Sequence, residues 1–102
     1  MIIKIEKLGT TFISRPAGKK AFLVVKKILK DLKENEIIEV DFEGVLTLTS
    51  GWGDEFLTPL LNTYGERLTL KNTENPSVQA TLEILQKIAG KKFNPEKFLR
   101  QI

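Results

Sequence analysis

Hydrophobic and polar positions along this chain follow two different periods, and the first period to appear is that of a strand. Ile3 and Ile5 alternate with charged residues, as in a strand with one buried face. The extended stretch TTFIS follows after the turn-like LGT. Two short extended runs joined by such a turn predict an antiparallel hairpin at the start of the chain.

Three longer segments carry apolar residues at three- and four-residue spacing, which predicts amphipathic helices. The segments cover residues 19–33, 51–64 and 75–90. Asn75 is a suitable cap for the third helix, and Gly65 and Gly90 stand where the second and third helices are expected to end. Pro59 is expected to bend the second helix. The predicted buried stripes are Phe22, Val25, Ile28, Leu29 and Leu32; Trp52, Phe56, Leu57, Leu60, Leu61 and Tyr64; and Val78, Leu82, Leu85 and Ile88.

Further strands are predicted between these helices. The run IIEVDF (residues 37–42) is almost continuously apolar, which is typical of a central strand covered on both faces. RLTLK (residues 67–71) predicts another strand, and an Asn-Pro pair at residues 94–95 predicts a short final helix. The order predicts one α/β domain over residues 1–102, with a mixed four- to five-stranded sheet and helices mainly on one face.

The amino-acid composition excludes several kinds of chemistry. The chain of 102 residues contains no cysteine and no histidine. This rules out disulfides, thiolate catalysis, Ser-His-Asp triads and zinc sites built on Cys or His. The net charge is +3, and no apolar run approaches the ~20 residues of a membrane span. No signal peptide is apparent, so we expect a cytoplasmic protein. We also expect that it needs no cofactor.

The stretch TLTSGWGDEF (residues 47–56) is the most informative local motif, because it places two hydroxyls at a predicted strand-to-helix junction. Ser50, or Gly51 in its place, suits the cap position of the helix. The free N–H groups there also favour a phosphate, which makes Thr49 and Ser50 candidate phosphorylation sites. Trp52 fits either the core or an anchor for a partner protein.

Charged residues offer two other functions. Asp41, Glu43, Asp54 and Glu55 are predicted to form a local acidic group, which suits Mg²⁺ binding or acid–base catalysis, or else a solvated rim with an ion pair to Arg15. A stripe of lysines on the first helix suits nucleic acid or an acidic partner, although no arginine or aromatic residue accompanies it. Its members are Lys19, Lys20, Lys26, Lys27, Lys30 and Lys33.

The element order and the hydroxyl-Gly pair resemble the STAS domain of the anti-sigma-factor antagonists. The antagonists carry Asp-Ser-Ser-Gly where this chain has Leu48-Thr49-Ser50-Gly51. A bacterial STAS-like family of unsettled function is a closer match. Its motifs appear here as Ser14-Arg15, as DFEGV beginning with Asp41-Phe42, and as WGDE beginning with Trp52.

The resemblance implies a regulatory protein-interaction module rather than an enzyme. In the antagonists, a histidine-kinase-like ATPase of the anti-sigma-factor type phosphorylates the first hydroxyl of the signature, which corresponds to Thr49. The resemblance implies neither nucleic acid nor a membrane as the partner. The predicted partner surface is the loop and N-terminus of the second helix: Thr47, Thr49, Ser50, Gly51, Trp52, Gly53, Asp54 and Glu55.

Overall fold

The computed structural model describes residues 1–90, so the predicted final helix lies outside the described residues. Short 3₁₀ turns occupy Ile5–Leu8, Leu29–Asp31 and Gly65–Arg67. The strands and helices are β1 (Ile2–Lys4), β2 (Thr11–Phe12), α1 (Arg15–Ile28), β3 (Ile38–Asp41), β4 (Thr47–Leu48), α2 (Ser50–Tyr64), β5 (Leu68–Lys71) and α3 (Pro76–Ala89).

The strands form two sheets in which every pairing is parallel. One sheet has three strands in the order β1-β3-β5, and the other pairs β2 with β4. The α/β fold is therefore confirmed, but the predicted hairpin and the single mixed sheet are wrong. The physical reason lies between β1 and β2, where the chain forms a 3₁₀ turn that buries Ile5 completely, and the two strands pair with β3 and β4 instead of with each other.

β3 is the central strand of the larger sheet, as the apolar run predicted. Ile3, Val40 and Leu70 stand in register across the sheet, and all three belong to the hydrophobic core. On the opposite face the corresponding row is partly open, because Ile2 is exposed and Glu39 is half-buried, whereas Thr69 is buried. This face is therefore less completely covered than the one that carries Ile3, Val40 and Leu70.

The start of α1 differs from the prediction by four residues. The helix begins at Arg15, and the Ser14 hydroxyl accepts a hydrogen bond from the Ala17 N–H at 3.3 Å as its cap. Proline in the first turn lacks only an N–H that has no helical partner there, so RPAG begins the helix instead of preceding it. The helix also ends earlier than predicted, and Ile28 is 53% exposed instead of buried.

The other two helices agree with the sequence pattern. In α2, the apolar stripe from Trp52 to Leu61 is buried and the Gly65 N–H closes the helix on the Leu61 carbonyl. In α3, the Asn75 side chain accepts hydrogen bonds from two backbone N–H groups, and Gly90 ends the helix in the left-handed conformation with φ 66°. Ile88 is the exception, because it is 68% exposed.

Two glycines allow the three helices to pack closely. A Cβ atom on Gly18 would lie 2.5 Å from the Trp52 carbonyl oxygen, so α1 contacts the backbone of α2 directly. A Cβ atom on Gly53 would lie 3.0 Å from the Thr81 side chain, at the contact between α2 and α3. These contacts fix the N-terminal half of α2 between its two neighbours.

Candidate functional site

The junction between β4 and α2 carries the predicted site, and Thr49 holds it to the end of β2. Thr49 is the N-cap residue of α2, but its hydroxyl does not cap the helix. The hydroxyl donates instead to the Ile13 carbonyl at 2.7 Å and to the Phe12 carbonyl at 3.3 Å, while the Thr49 N–H donates to Phe12 at 3.0 Å. Neither Ser50 nor Gly51 is the cap residue, so both capping predictions are wrong.

Ser50 occupies the first helical position and is half-buried. Its hydroxyl has no hydrogen-bond partner among residues 1–90. The first N–H groups of a helix also lack helical partners, so this end of α2 combines a free hydroxyl with unused donors. Such a position favours negative charge through the helix dipole.

Arg15 joins the start of α1 to the first turns of α2. Its Nη1 lies 2.9 Å from Asp54 Oδ2 and 3.6 Å from Glu55 Oε1. The hydrogen bond from Arg15 lowers the pKa of Asp54, with a second bond from the Thr58 hydroxyl acting in the same direction. The predicted ion pair is therefore formed, and it brings together the Ser-Arg and Asp-Glu motifs of the sequence.

The Gly-Trp-Gly run serves the packing of the domain itself. Trp52 is 2% exposed and its ring lies 4.6 Å from that of Phe12 and 4.7 Å from that of Phe56. This places Trp52 in the core, so the alternative role as an exposed anchor is not available to it. Gly53 is also buried, against α3. The remaining members of the predicted surface are half-buried: Thr47, Thr49, Ser50, Gly51, Asp54 and Glu55.

Asp41 organises a different part of the fold. Its Oδ1 accepts hydrogen bonds from the Asn72 amide at 2.7 Å and from the Glu43 N–H at 2.9 Å. Burial of Asp41 opposes ionisation, but these hydrogen bonds together with the charges of Lys71 and Lys4 outweigh it and lower the pKa of the carboxyl group. Phe42, the next residue of the motif, is 2% exposed and belongs to the core. The Asp-Phe motif thus fixes the end of β3 against the end of β5.

The predicted acidic group does not assemble. Among residues 1–90, no three acidic side chains are placed so that they can hold a metal ion. Asp41 is occupied at the end of the larger sheet, whereas Asp54 and Glu55 pair with Arg15 along α2. The described residues therefore provide no ligand set for the metal-dependent alternative.

The predicted lysine stripe is exposed but does not lie on one continuous helix. Four of its members belong to α1, whereas Lys30 lies in the 3₁₀ turn and Lys33 lies beyond it. The carbonyl of Lys33 accepts a hydrogen bond from the Arg67 side chain at 2.7 Å. Lys33 is therefore part of the connection to β3 instead of the helical stripe.

Two polar residues of α3, Ser77 and Thr81, support the site and were missed by the sequence reasoning. Ser77 both donates to the Leu48 carbonyl at 3.0 Å and accepts from the Leu48 N–H at 2.9 Å, and the Thr81 hydroxyl donates to the same carbonyl at 2.7 Å. Asn75, predicted only as a cap, also donates to the Val45 and Leu46 carbonyls. The sequence signal for these contacts was the position of Ser77 and Thr81, two small polar residues that lie beside Val78 and Leu82 on the buried side of the helix.

Comparison with known proteins agrees with this architecture. The model of a family described as "STAS-like domain of unknown function" matches residues 21–78, which is more than half of the chain. The chain belongs to this family. The match to the STAS-like family covers β3, β4, α2 and β5 but excludes Ser14 and Arg15. No curated protein and no solved structure matches the chain significantly.

The family description assigns no function to this STAS-like domain. Among the described residues, no helix is both long enough and apolar enough to cross a membrane.

Proposed function

We propose that this STAS-like domain is a regulatory protein-interaction module whose partner binds at the start of α2. The observation that carries this proposal is the pairing of a firmly held backbone with a free hydroxyl. Thr49 is bonded to the end of β2, and Leu48 is bonded to α3. Ser50 lies between these supports with no hydrogen-bond partner in the described part of the chain.

A surface held in this way binds a partner at low entropic cost. Ordering a loop during association reduces affinity, and here the loop is already fixed by hydrogen bonds from two sides. The groups around it are a half-buried hydroxyl, a half-buried glycine backbone and the ion pair between the exposed Arg15 and the half-buried Asp54. This mixture of polar groups suits reversible recognition of a folded protein better than permanent association.

We propose that phosphorylation regulates partner binding at this surface, with Ser50 as the acceptor. The Thr49 hydroxyl donates to two carbonyl groups, so a phosphate on it would break both bonds and face their oxygen atoms. A phosphate on Ser50 breaks no side-chain hydrogen bond among residues 1–90 and meets the positive end of α2. By analogy with the antagonists, the kinase is a histidine-kinase-like ATPase that is also the binding partner.

The test is phosphorylation and capture with purified histidine-kinase-like ATPases of the host organism. We expect one ATPase to label the wild type and Thr49→Ser but not Ser50→Ala, and mass spectrometry to place the phosphate on Ser50. Ser50→Asp is expected to lose binding to that ATPase, and it should remain folded because an acidic residue suits the first turn.

Lys26→Glu is the matched control, since it changes an exposed charge on α1 away from the junction. A label on Thr49 would contradict the choice of acceptor. Equal capture of the ATPase by wild type and Ser50→Asp would show that the partner surface lies elsewhere.

A further inference from the structure

An apolar groove runs along α1 on the side that faces the chain between β1 and β2. It consists of two clefts of about 440 and 180 Å³. Both clefts are lined by Leu8 and Val24, so they form one continuous surface. Ile13 and Ala17 lie toward one end and Ile28 toward the other. We refer to the two clefts together as the α1 groove.

The α1 groove leaves large apolar side chains open to solvent. Ile13 is 61% exposed, Ile28 is 53% exposed, Val24 is 50% exposed and Leu8 is 40% exposed. Single exposed apolar residues are common on proteins, but a contiguous group of them in a concave surface is typical of a binding site. The groove is therefore the strongest candidate for a second interaction surface.

The charges at the groove have a single sign. Lys20 lines the larger cleft, and Lys4 and Lys7 line the smaller one. Lys27 follows Lys20 by seven residues, so it lies two turns further along the same side of α1. No aspartate or glutamate is among the described residues that line either cleft.

We propose that the α1 groove binds an acidic amphipathic helix of a partner protein. Apolar side chains of that helix would fill the two clefts, and its carboxylates would pair with the bordering lysines. From Ala17 to Ile28 the groove follows α1 for about 16 Å, which matches about three turns of a second helix. The recognised pattern is then an apolar residue at i, i+4 and i+7 with acidic residues beside them.

Charge and shape favour this occupant over two others. A second copy of the chain would place lysine opposite lysine, in a protein whose net charge is already +3. An anionic membrane attracts lysines, but it binds apolar side chains that project from a helix and not a concave cleft. The larger cleft includes Ile13 and Trp52, which contact the α2 junction, but neither cleft contains the half-buried residues of that junction, so the two proposals are tested by different variants.

A fluorescent synthetic peptide tests the proposal on the full chain. The probe is a helix of roughly 14 residues with leucines at i, i+4, i+7 and i+11 and glutamates on the flanks. A second peptide replaces the glutamates with lysines, and a third has the acidic sequence scrambled. We expect the acidic peptide to bind at least about tenfold more tightly than the other two, with an affinity that falls as salt is added.

Val24→Asp and Leu23→Asp form a matched pair of variants. Both side chains are 50% exposed on α1, but only Val24 lines the groove. We expect Val24→Asp to weaken the acidic peptide at least about tenfold, and Leu23→Asp to leave it almost unchanged. Lys20→Glu combined with Lys27→Glu should weaken the acidic peptide and strengthen the lysine peptide.

Several outcomes would overturn the proposal. They are equal affinity for all three peptides, equal effects of Val24→Asp and Leu23→Asp, binding to phosphatidylglycerol vesicles without binding to the acidic peptide, and a dimer whose formation Val24→Asp abolishes. Ser50→Asp should leave peptide affinity unchanged, so failure at the groove is distinguishable from failure at the α2 junction.

Discussion

Replacing Gly18 with alanine sets two opposite effects on stability against each other. Alanine is the better helix former by about 1 kcal/mol, so α1 considered alone would gain stability. In the folded domain, however, the new Cβ atom would lie 2.5 Å from the Trp52 carbonyl oxygen and 3.0 Å from its Cα. The obstacle is the backbone of α2, which cannot move aside as the end of a side chain can.

The net effect on stability follows from the distance by which α1 and α2 must move apart. Ordinary contact begins at 3.4 Å, so α1 and α2 must separate by roughly 0.9 Å, the difference from 2.5 Å. Overpacking a core costs about 1–3 kcal/mol, and a backbone obstacle favours the upper part of that range. After the gain in helix propensity, we expect Gly18→Ala to lower the free energy of unfolding by about 2 kcal/mol. This corresponds to a decrease in Tm of about 10 °C.

Urea unfolding followed by tryptophan fluorescence measures this effect directly, because Trp52 is the single tryptophan of the chain and is buried. Gly51→Ala is the matched control, since the nearest atom to its Cβ would be the Arg15 Cγ at 3.2 Å, which can move, and the Ile13 carbonyl oxygen lies at an ordinary contact distance of 3.8 Å. We expect Gly51→Ala to change stability by less than about 1 kcal/mol. If Gly18→Ala is as stable as the wild type, the close contact between α1 and α2 is refuted.

Two further predictions concern polar contacts. Thr49→Val removes the hydroxyl that donates to Ile13, so urea unfolding should show a loss of about 1 kcal/mol, whereas Thr49→Ser should retain most of the stability. Equal losses in both variants would show that the methyl group matters instead. Asp41→Asn should cost about 1 kcal/mol at neutral pH, because a charged acceptor is replaced by a neutral one. The folded-state pKa of Asp41 is lowered, so its contribution is present above the ordinary pKa of about 3.9 and is lost as the pH falls through the lower folded value. The difference between wild type and Asp41→Asn should therefore shrink below about pH 4, and a constant difference would contradict this account.

Local sequence patterns predicted most elements of the domain. The apolar stripe of α2, the Asn75 cap and the Gly90 terminus are where the sequence placed them, because helix period and cap chemistry are properties of neighbouring residues. The central position of β3 was predictable for the same reason, since the near-continuous apolar run of a central strand is visible in its own composition.

The site could be only partly predicted. The sequence located the junction at Thr49 and Ser50 and anticipated the ion pair of Arg15. It did not predict that the Thr49 hydroxyl would bond to β2, because Ile13 is 36 residues away. It also predicted that Asp41 and Asp54 would belong to one acidic group, although Asp41 ends a strand and Asp54 lies in a helix.

The sequence by itself determined the three helices, the central strand and the absence of cysteine and histidine chemistry. Only the tertiary structure decided which strands pair: Ile3 pairs with Val40, and Phe12 with Leu48, in two parallel sheets instead of one hairpin. The sequence of a strand does not show which strand it will pair with, because the backbone hydrogen-bond donors and acceptors are the same in every strand. The packing of side chains such as Ile5, from segments far apart in the chain, makes that choice.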